Sequence, residues 1–345
     1  MQNIIIGLLI IAVGSLGQSS SYVPIRKIKQ WRWECFWLAQ GVFAWLVFPW
    51  LGAMLAVPEG SSLSALYAGV SLKGPLVYGI LWGIGGLTFG LSMRYLGIAL
   101  GQSIALGMCS AFGTMLPALM NDGSEQTESK WMLTACVSIM LAGIAVIGYA
   151  GSLRDRGLSE EEKRKSIQDF ALTKGLLVAL LAGGMSACFN LGLEAGAPIA
   201  EAAKAAGANE LFALNPVILL VTAGGFLTNA LYCLFLNVKN RSGRDYFSVG
   251  GRVLLNNLLY CALAGLLWYS QFFGLGMGKT FFAANPVMLA FSWSILMSLN
   301  ILFSNAWGIL LKEWKGADRK TLFVLALGMG ILIFSLLFPN LDIII

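Results

Sequence analysis

Three carboxylates stand at the edges of apolar runs: Glu34 beside Trp33, Glu194, and Glu201 within GAPIAEAAKAAG. A carboxyl group partly removed from water can exchange a proton near neutral pH, because burial penalises its charged form. The chain contains no histidine, which removes the usual physiological-pH proton relay and the commonest metal ligand. Glu34 has Lys29 and Arg32 close by in sequence, and pairing with them is its plainer reading. Glu194 is the most deeply embedded of the three, and Glu201 lies just beyond it. Binding of a sodium ion by backbone carbonyls and amides is the other coupling route left open.

A second group is neutral. Gln18, Tyr22, Gln40, Gln102, Asn190, Asn229, Asn256, Asn257, Ser292, Ser298 and Asn300 fall inside apolar stretches. Amides and hydroxyls suit an uncharged ligand rich in hydroxyl groups, which needs donors and acceptors but no counter-charge. Taken singly, each is more simply read as an interhelical hydrogen bond. Trp82, Trp268, Tyr269 and Trp293 offer flat faces to the apolar side of a sugar ring, or pack at the membrane interface. Trp31, Trp33, Trp37, Trp45 and Trp50 read as interfacial and packing residues.

Catalytic patterns are missing. H-E-x-x-H, a Walker A loop and a G-x-S-x-G elbow are all absent. Six cysteines lie in or near apolar runs, none in a C-x-x-C pair, so they read as packing thiols. The chain is expected to be neither an enzyme nor a carrier of a cofactor or metal. Its net charge of +6 belongs to loops between apolar runs rather than to a nucleic-acid surface.

The elements that must position these groups follow from composition. The chain is 57% hydrophobic and 12% charged, against about 45–50% and 25% in soluble domains. Apolar runs of membrane-crossing length recur throughout. This predicts an all-α polytopic membrane protein with spans near 4–23, 35–57, 74–93, 96–119, 131–150, 175–195, 211–236, 253–275, 286–311 and 321–339. Ten spans sort the 23 lysines and arginines onto one side of the bilayer, all but Lys73, Lys130, Lys204 and Lys279. The positive-inside rule then places both termini outside. Ile4–Val13 lacks a preceding basic residue, so it reads as a retained first span rather than a signal peptide.

The charged segment Ser152–Thr173 reads as a cytoplasmic linker dividing five spans (1–151) from five (174–345). Five is odd, so the second set enters the membrane inverted. Gly7-Leu8-Leu9-Ile10 and Gly175-Leu176-Leu177-Val178 match at an offset of 168. Two inverted five-helix repeats enclosing a midplane site form the architecture of many secondary transporters. Gly79, Gly83, Gly86, Gly90, Gly97 and Gly101 predict a close-packed hairpin turning at Arg94 and Tyr95, with a weaker echo at Leu266–Lys279.

The segments YVPIRKIKQWRWE (22–34), SMRYLG (92–97), WYSQFF (268–273) and LKEW (311–314) resemble the L-rhamnose–proton symporter family of the drug/metabolite transporter superfamily. The resemblance runs along essentially the whole chain. It implies proton-driven uptake of a small neutral deoxy-sugar across the bacterial inner membrane by alternating access, with Glu34, Arg94, Tyr95, Glu201, Trp268, Gln271 and Glu313 as family-pattern positions. The chain departs from that pattern at Glu194, at Gln18–Ser21 and at Gly86–Thr88, and it lacks a histidine before Glu201. Two alternatives within transport stay open: sodium-coupled sugar uptake, and export or exchange of another small metabolite.

Overall fold

The computed structural model describes residues 2–96, 98–120, 127–156, 172–312 and 314–340. Among them there is no β-strand, and nine helices are long and apolar enough to cross a membrane. The long helices are α1 (Gln2–Ile25), α2 (Trp33–Met54), α3 (Lys73–Leu96), α4 (Ile98–Met120), α5 (Thr127–Arg156), α6 (Leu172–Ala195), α7 (Asn215–Lys239), α8 (Gly251–Phe281), α9 (Pro286–Leu310) and α10 (Arg319–Leu337). All but α3 carry one of the nine apolar spans. The helices present Leu9, Val13, Leu177, Leu231, Phe235 and Phe323 outward, as a lipid-facing surface requires.

Helix starts follow local chemistry. Pro216 and Pro286 sit in the first turns of α7 and α9, where a missing N–H costs least. The Asn285 side chain accepts from Met288 N at 3.0 Å, and Asp318 accepts from Thr321 N at 2.8 Å to open α10.

Two compact units emerge, and neither follows the sequence halves. One gathers Ile6–Gly83 with Gly192–Thr280; the other gathers Ile84–Leu191 with Phe281–Ile345 and the first five residues. Each therefore draws helices from before and after the charged segment. That segment's residues 157–171 lie outside the described residues, as do Gly97 and Glu313 and the Arg94 side chain.

The glycine reading needs two corrections. The helix carries on through Arg94 and Tyr95 to Leu96, so the turn does not fall on those residues. The Leu266–Lys279 stretch is no hairpin: α8 runs unbroken from Gly251 to Phe281. No proline interrupts it, and Gly274 and Gly278 are lodged against α1 at Ile10 and Ile11. Glycine spacing signalled close packing there rather than a bend.

Gly79 is the position where this matters most in the first unit. A Cβ on Gly79 would strike the Val221 carbonyl oxygen on α7, while one on Gly224 would strike the Leu76 carbonyl on α3. Backbone cannot retreat as a flexible side chain can. Gly86, by contrast, meets nothing within 4 Å. Gly79→Ala should destabilise the detergent-solubilised protein by about 1–3 kcal/mol. Gly86→Ala should be neutral or stabilising by up to about 1 kcal/mol; thermal unfolding followed by circular dichroism measures both.

Candidate functional site

In the unit holding Ile6–Gly83 and Gly192–Thr280, five tryptophans form a continuous aromatic cluster. Trp33 stacks on Trp37 at 5.3 Å between ring centroids, as expected four residues apart on a helix. Trp45 stands edge-on to Trp37, Trp82 and Trp268 at 5.8, 6.0 and 5.9 Å. Trp82 and Trp268 lie 5.8 Å apart, and Phe272 closes one side against Trp268 at 5.1 Å.

The backbone of α2 explains why Trp45 reaches the centre. Residues Val42–Val47 form a π-helical turn, with Phe48 N bonding to Phe43 O five residues back. Pro49 lies four residues beyond Trp45 and has no N–H to give its carbonyl, so the ladder shifts by one residue. Trp45 is only 5% exposed, and its Nε1 has no hydrogen-bond partner among the described residues. A buried unpaired donor of this kind carries a desolvation cost of about 1–3 kcal/mol.

Asn229 ties the cluster together. Its Oδ1 accepts from Trp37 Nε1 at 3.1 Å, and its Nδ2 donates to Gly225 O at 2.9 Å. Gln271 is buried on α8, with Nε2 donating to Trp268 O at 3.1 Å. Of the residues singled out from sequence, Trp82, Asn229, Trp268 and Gln271 are thus brought together. Trp37 and Trp45, read there as interfacial packing, belong with them. The Trp45-x-x-x-Pro49 spacing was the available signal.

Other expected residues lie elsewhere. Asn257 is used up by the backbone: its Oδ1 accepts from Lys29 N at 3.1 Å and its Nδ2 donates to Lys29 O at 2.8 Å. Tyr22 is 57% exposed at the end of α1. Gln18 is half-buried, with Ser19 Oγ 3.4 Å from its Oε1. Tyr95 and Gln102 belong to the second unit, where the Lys174 ammonium sits 4.7 Å over the Tyr95 ring.

The three carboxylates differ sharply. Glu194 pairs with Lys279 at 2.9 Å, with its side chain 37% exposed. Glu201 pairs with Lys204 at 2.8 Å and is 69% exposed. Glu34 is only 4% exposed, and its Oε1 accepts from two neutral donors, Asn240 Nδ2 at 3.0 Å and Ser242 Oγ at 2.7 Å. The neighbouring Arg32 is turned to Asp245, 3.2 Å from its Nε, and to the Asn240 carbonyl.

In the unit holding Ile84–Leu191 and Phe281–Ile345, Asn190 and Trp293 meet α4. Trp293 Nε1 donates to Cys109 O at 3.2 Å, and its ring stacks on Phe189 at 5.8 Å. Ser294 Oγ lies 3.1 Å from Ser110 Oγ and 2.7 Å from Thr114 Oγ1. Pro117 lies inside α4 and cannot supply the N–H that the Gly113 carbonyl would otherwise accept. Asn190 Nδ2 supplies it instead, at 2.7 Å. The other amide atom, Asn190 Oδ1, is buried without a hydrogen-bond partner among the described residues.

This substitution of side chain for backbone is testable. Asn190→Ala should cost about 1–3 kcal/mol of stability by stranding a buried carbonyl. In a Pro117→Ala background the helix regains its own donor, and the same Asn190→Ala change should cost less by about 0.5–3 kcal/mol. Denaturant unfolding of the four proteins in one detergent closes the cycle.

Comparison with known proteins follows the same pattern from end to end. The profile of the family described as "L-rhamnose-proton symport protein (RhaT)" matches residues 1–342. The L-rhamnose-proton symporters of Yersinia pestis (strain Pestoides F) and Yersinia pseudotuberculosis serotype O:3 (strain YPIII) are each 33% identical over 338 residues, covering 96% of this chain and 96% of theirs. The family's description and the relatives' names are those of symporters rather than enzymes. The chain belongs to the L-rhamnose-proton symport protein (RhaT) family.

Proposed function

We propose that this protein is a secondary active transporter that takes up L-rhamnose or a closely related deoxy-sugar together with protons. The observation that carries the reading is the full-length similarity to L-rhamnose-proton symporters. The aromatic cluster supports it: a deoxy-hexose has an apolar face and methyl group for Trp82 and Trp268, and hydroxyls for neutral donors and acceptors. Trp45 Nε1, buried within this cluster and without a hydrogen-bond partner among the described residues, is a donor of the kind such a hydroxyl completes. Gln18, Tyr22, Asn229 and Gln271 are the further candidates for sugar contact in this unit, with Asn257 the weakest because its amide is already engaged, and Tyr95, Gln102, Asn190 and Trp293 are the candidates in the other unit.

Ten spans in two inverted five-helix repeats, 1–151 and 174–345, remain our reading of the topology. The helix Lys73–Leu96 is 24 residues long, which is the length a tenth crossing needs. The resemblance to the symporter family is the basis for placing the chain in the drug/metabolite transporter superfamily and in the bacterial inner membrane, and the positive-inside rule places both termini outside. Alternating access would then expose the sugar to each side in turn.

Glu34 is the proton carrier of this reading. A group that cycles between charged and neutral forms must not be locked to a permanent counter-charge, and Glu34 alone of the three candidates is held by neutral partners. Glu194 and Glu201 sit against lysines and serve as ion-pair clamps.

With one proton per sugar, an inside-alkaline gradient of one pH unit sustains about tenfold accumulation. Proteoliposomes given labelled L-rhamnose should show it, and a sodium gradient should not. Glu34→Gln should abolish accumulation while preserving sugar-for-sugar exchange; Glu194→Gln and Glu201→Gln should still accumulate. Accumulation that ignores the imposed pH gradient would remove the proton from the mechanism, and normal accumulation by Glu34→Gln would remove Glu34.

A further inference from the structure

Ser242, in the short turn Ser242–Arg244 after α7, has one hydroxyl proton and two acceptors in reach. Glu34 Oε1 is 2.7 Å away and Asn237 Oδ1 is 2.8 Å away. One O–H donates one hydrogen bond. If Ser242 donates to an ionised Glu34, two acceptor oxygens, Ser242 Oγ and Asn237 Oδ1, face each other at 2.8 Å with no hydrogen between them.

Two rearrangements remove this conflict, and they differ by one proton. In the first, Glu34 is protonated on Oε1 and donates to Ser242 Oγ, and Ser242 donates to Asn237 Oδ1. Asn240 Nδ2 keeps its bond to a remaining lone pair of Oε1. Asn237 Nδ2 donates to the Tyr246 hydroxyl at 3.3 Å, as the atoms stand. In the second, Glu34 is ionised and the Asn237 amide has turned over. Its Nδ2 then donates to Ser242 Oγ, Ser242 donates to Glu34, and Tyr246 O–H donates to Asn237 Oδ1. The Cys35 thiol lies 3.4 Å from both Asn237 Oδ1 and the Ser242 carbonyl oxygen, so it keeps the carbonyl as an acceptor in both arrangements.

The centre of the cluster is shielded from water, while Asn240 is exposed and Tyr246 half-buried at its edge. Glu34, Cys35, Asn237 and Ser242 are all buried, and Cys233 packs beside them. The charged and titratable groups facing Glu34 are Arg32 and Asp245, paired with each other, with Cys35, Cys233 and Tyr246. Burial pushes the Tyr246 hydroxyl up to about 12, so it stays protonated and able to donate throughout the working range. Arg241, immediately before Ser242, is held in the left-handed region at φ 52°, so the turn that presents the hydroxyl is conformationally defined.

We propose that Glu34, Ser242, Asn237 and Tyr246 form a proton-operated switch, in which loading one proton on Glu34 reverses the donor–acceptor direction of the whole chain and turns the Asn237 amide. Ser242 and Asn237 are positioning residues: they carry the protonation state of α2 to the end of α7 and the turn that follows it. The proposal rests on Glu34 being the proton carrier and adds the groups through which its charge is felt.

The test uses the full chain in lipid nanodiscs and infrared difference spectra recorded against pH. The protonated-carboxyl band that disappears in Glu34→Gln belongs to Glu34. Hydrogen bonds to a charged acceptor are about twice as strong as neutral ones, so losing the Ser242 hydroxyl harms the anion more than the acid. Ser242→Ala should move the midpoint of that band upward by about one pH unit, and Ser242→Thr, which keeps the hydroxyl, should restore it. Tyr246→Phe, which removes only the distal donor, should move it the same way by about half as much. Wild-type midpoints in both Ser242→Ala and Tyr246→Phe overturn the switch while leaving Glu34 as carrier. A carboxyl band that titrates unchanged in Glu34→Gln overturns the carrier assignment itself.

Discussion

A proline inside a helix removes one hydrogen-bond donor, and in hydrocarbon no water replaces it. That constraint organises the interior of both compact units. In α4, Pro117 strands the Gly113 carbonyl, and Asn190 on α6 comes across to satisfy it. In α2, Pro49 withholds its donor from Trp45, and the backbone answers by widening into a π-helical turn. The first solution fastens two helices together. The second turns the Trp45 indole in among three others. Polar and aromatic residues that would be ornament in a soluble helix are here obligatory consequences of two prolines.

Close approach of helices supplies the other half of the framework. Between α3 and α7 the contact is backbone on backbone at Gly79 and Gly224. Dispersion and hydrogen bonds replace the hydrophobic effect when the solvent is itself apolar. Thr228 adds to this seam by donating its hydroxyl to the Ile80 carbonyl at 3.1 Å. Rigid seams of this kind allow the aromatic cluster and the Glu34 network to keep fixed geometry at different places within one unit.

Charge is handled by separation of roles. Exposed or half-exposed carboxylates meet lysines, as Glu194 and Glu201 do, where water screens the pair and its energetic weight is small. The buried carboxylate meets an amide and a hydroxyl, groups whose hydrogen bonds can be given or received. Under the proposed mechanism, Glu34 supplies the reversible environment that a proton-coupled carrier requires.

Much of the framework was legible in the residues alone. Helix after helix falls within a few residues of the span read from apolar runs, since membrane thickness dictates run length and burying a charge is prohibitive. That Trp82, Asn229, Trp268 and Gln271 fall inside apolar runs was equally visible, because polar and aromatic residues in such runs are few enough to enumerate. Sequence could not say which of them share a neighbourhood. Asn257 and Asn229 are the same residue type in similar settings, yet one is consumed by the Lys29 backbone and the other braces Trp37. Glu34 is near Arg32 in the chain but not bonded to it, since Asp245 and Asn240, two hundred residues away, claim the guanidinium first. Run length and polarity are properties of single segments, and the sequence carried them in full. Partner choice among buried polar groups is a competition between segments, so it was decided only when the helices packed.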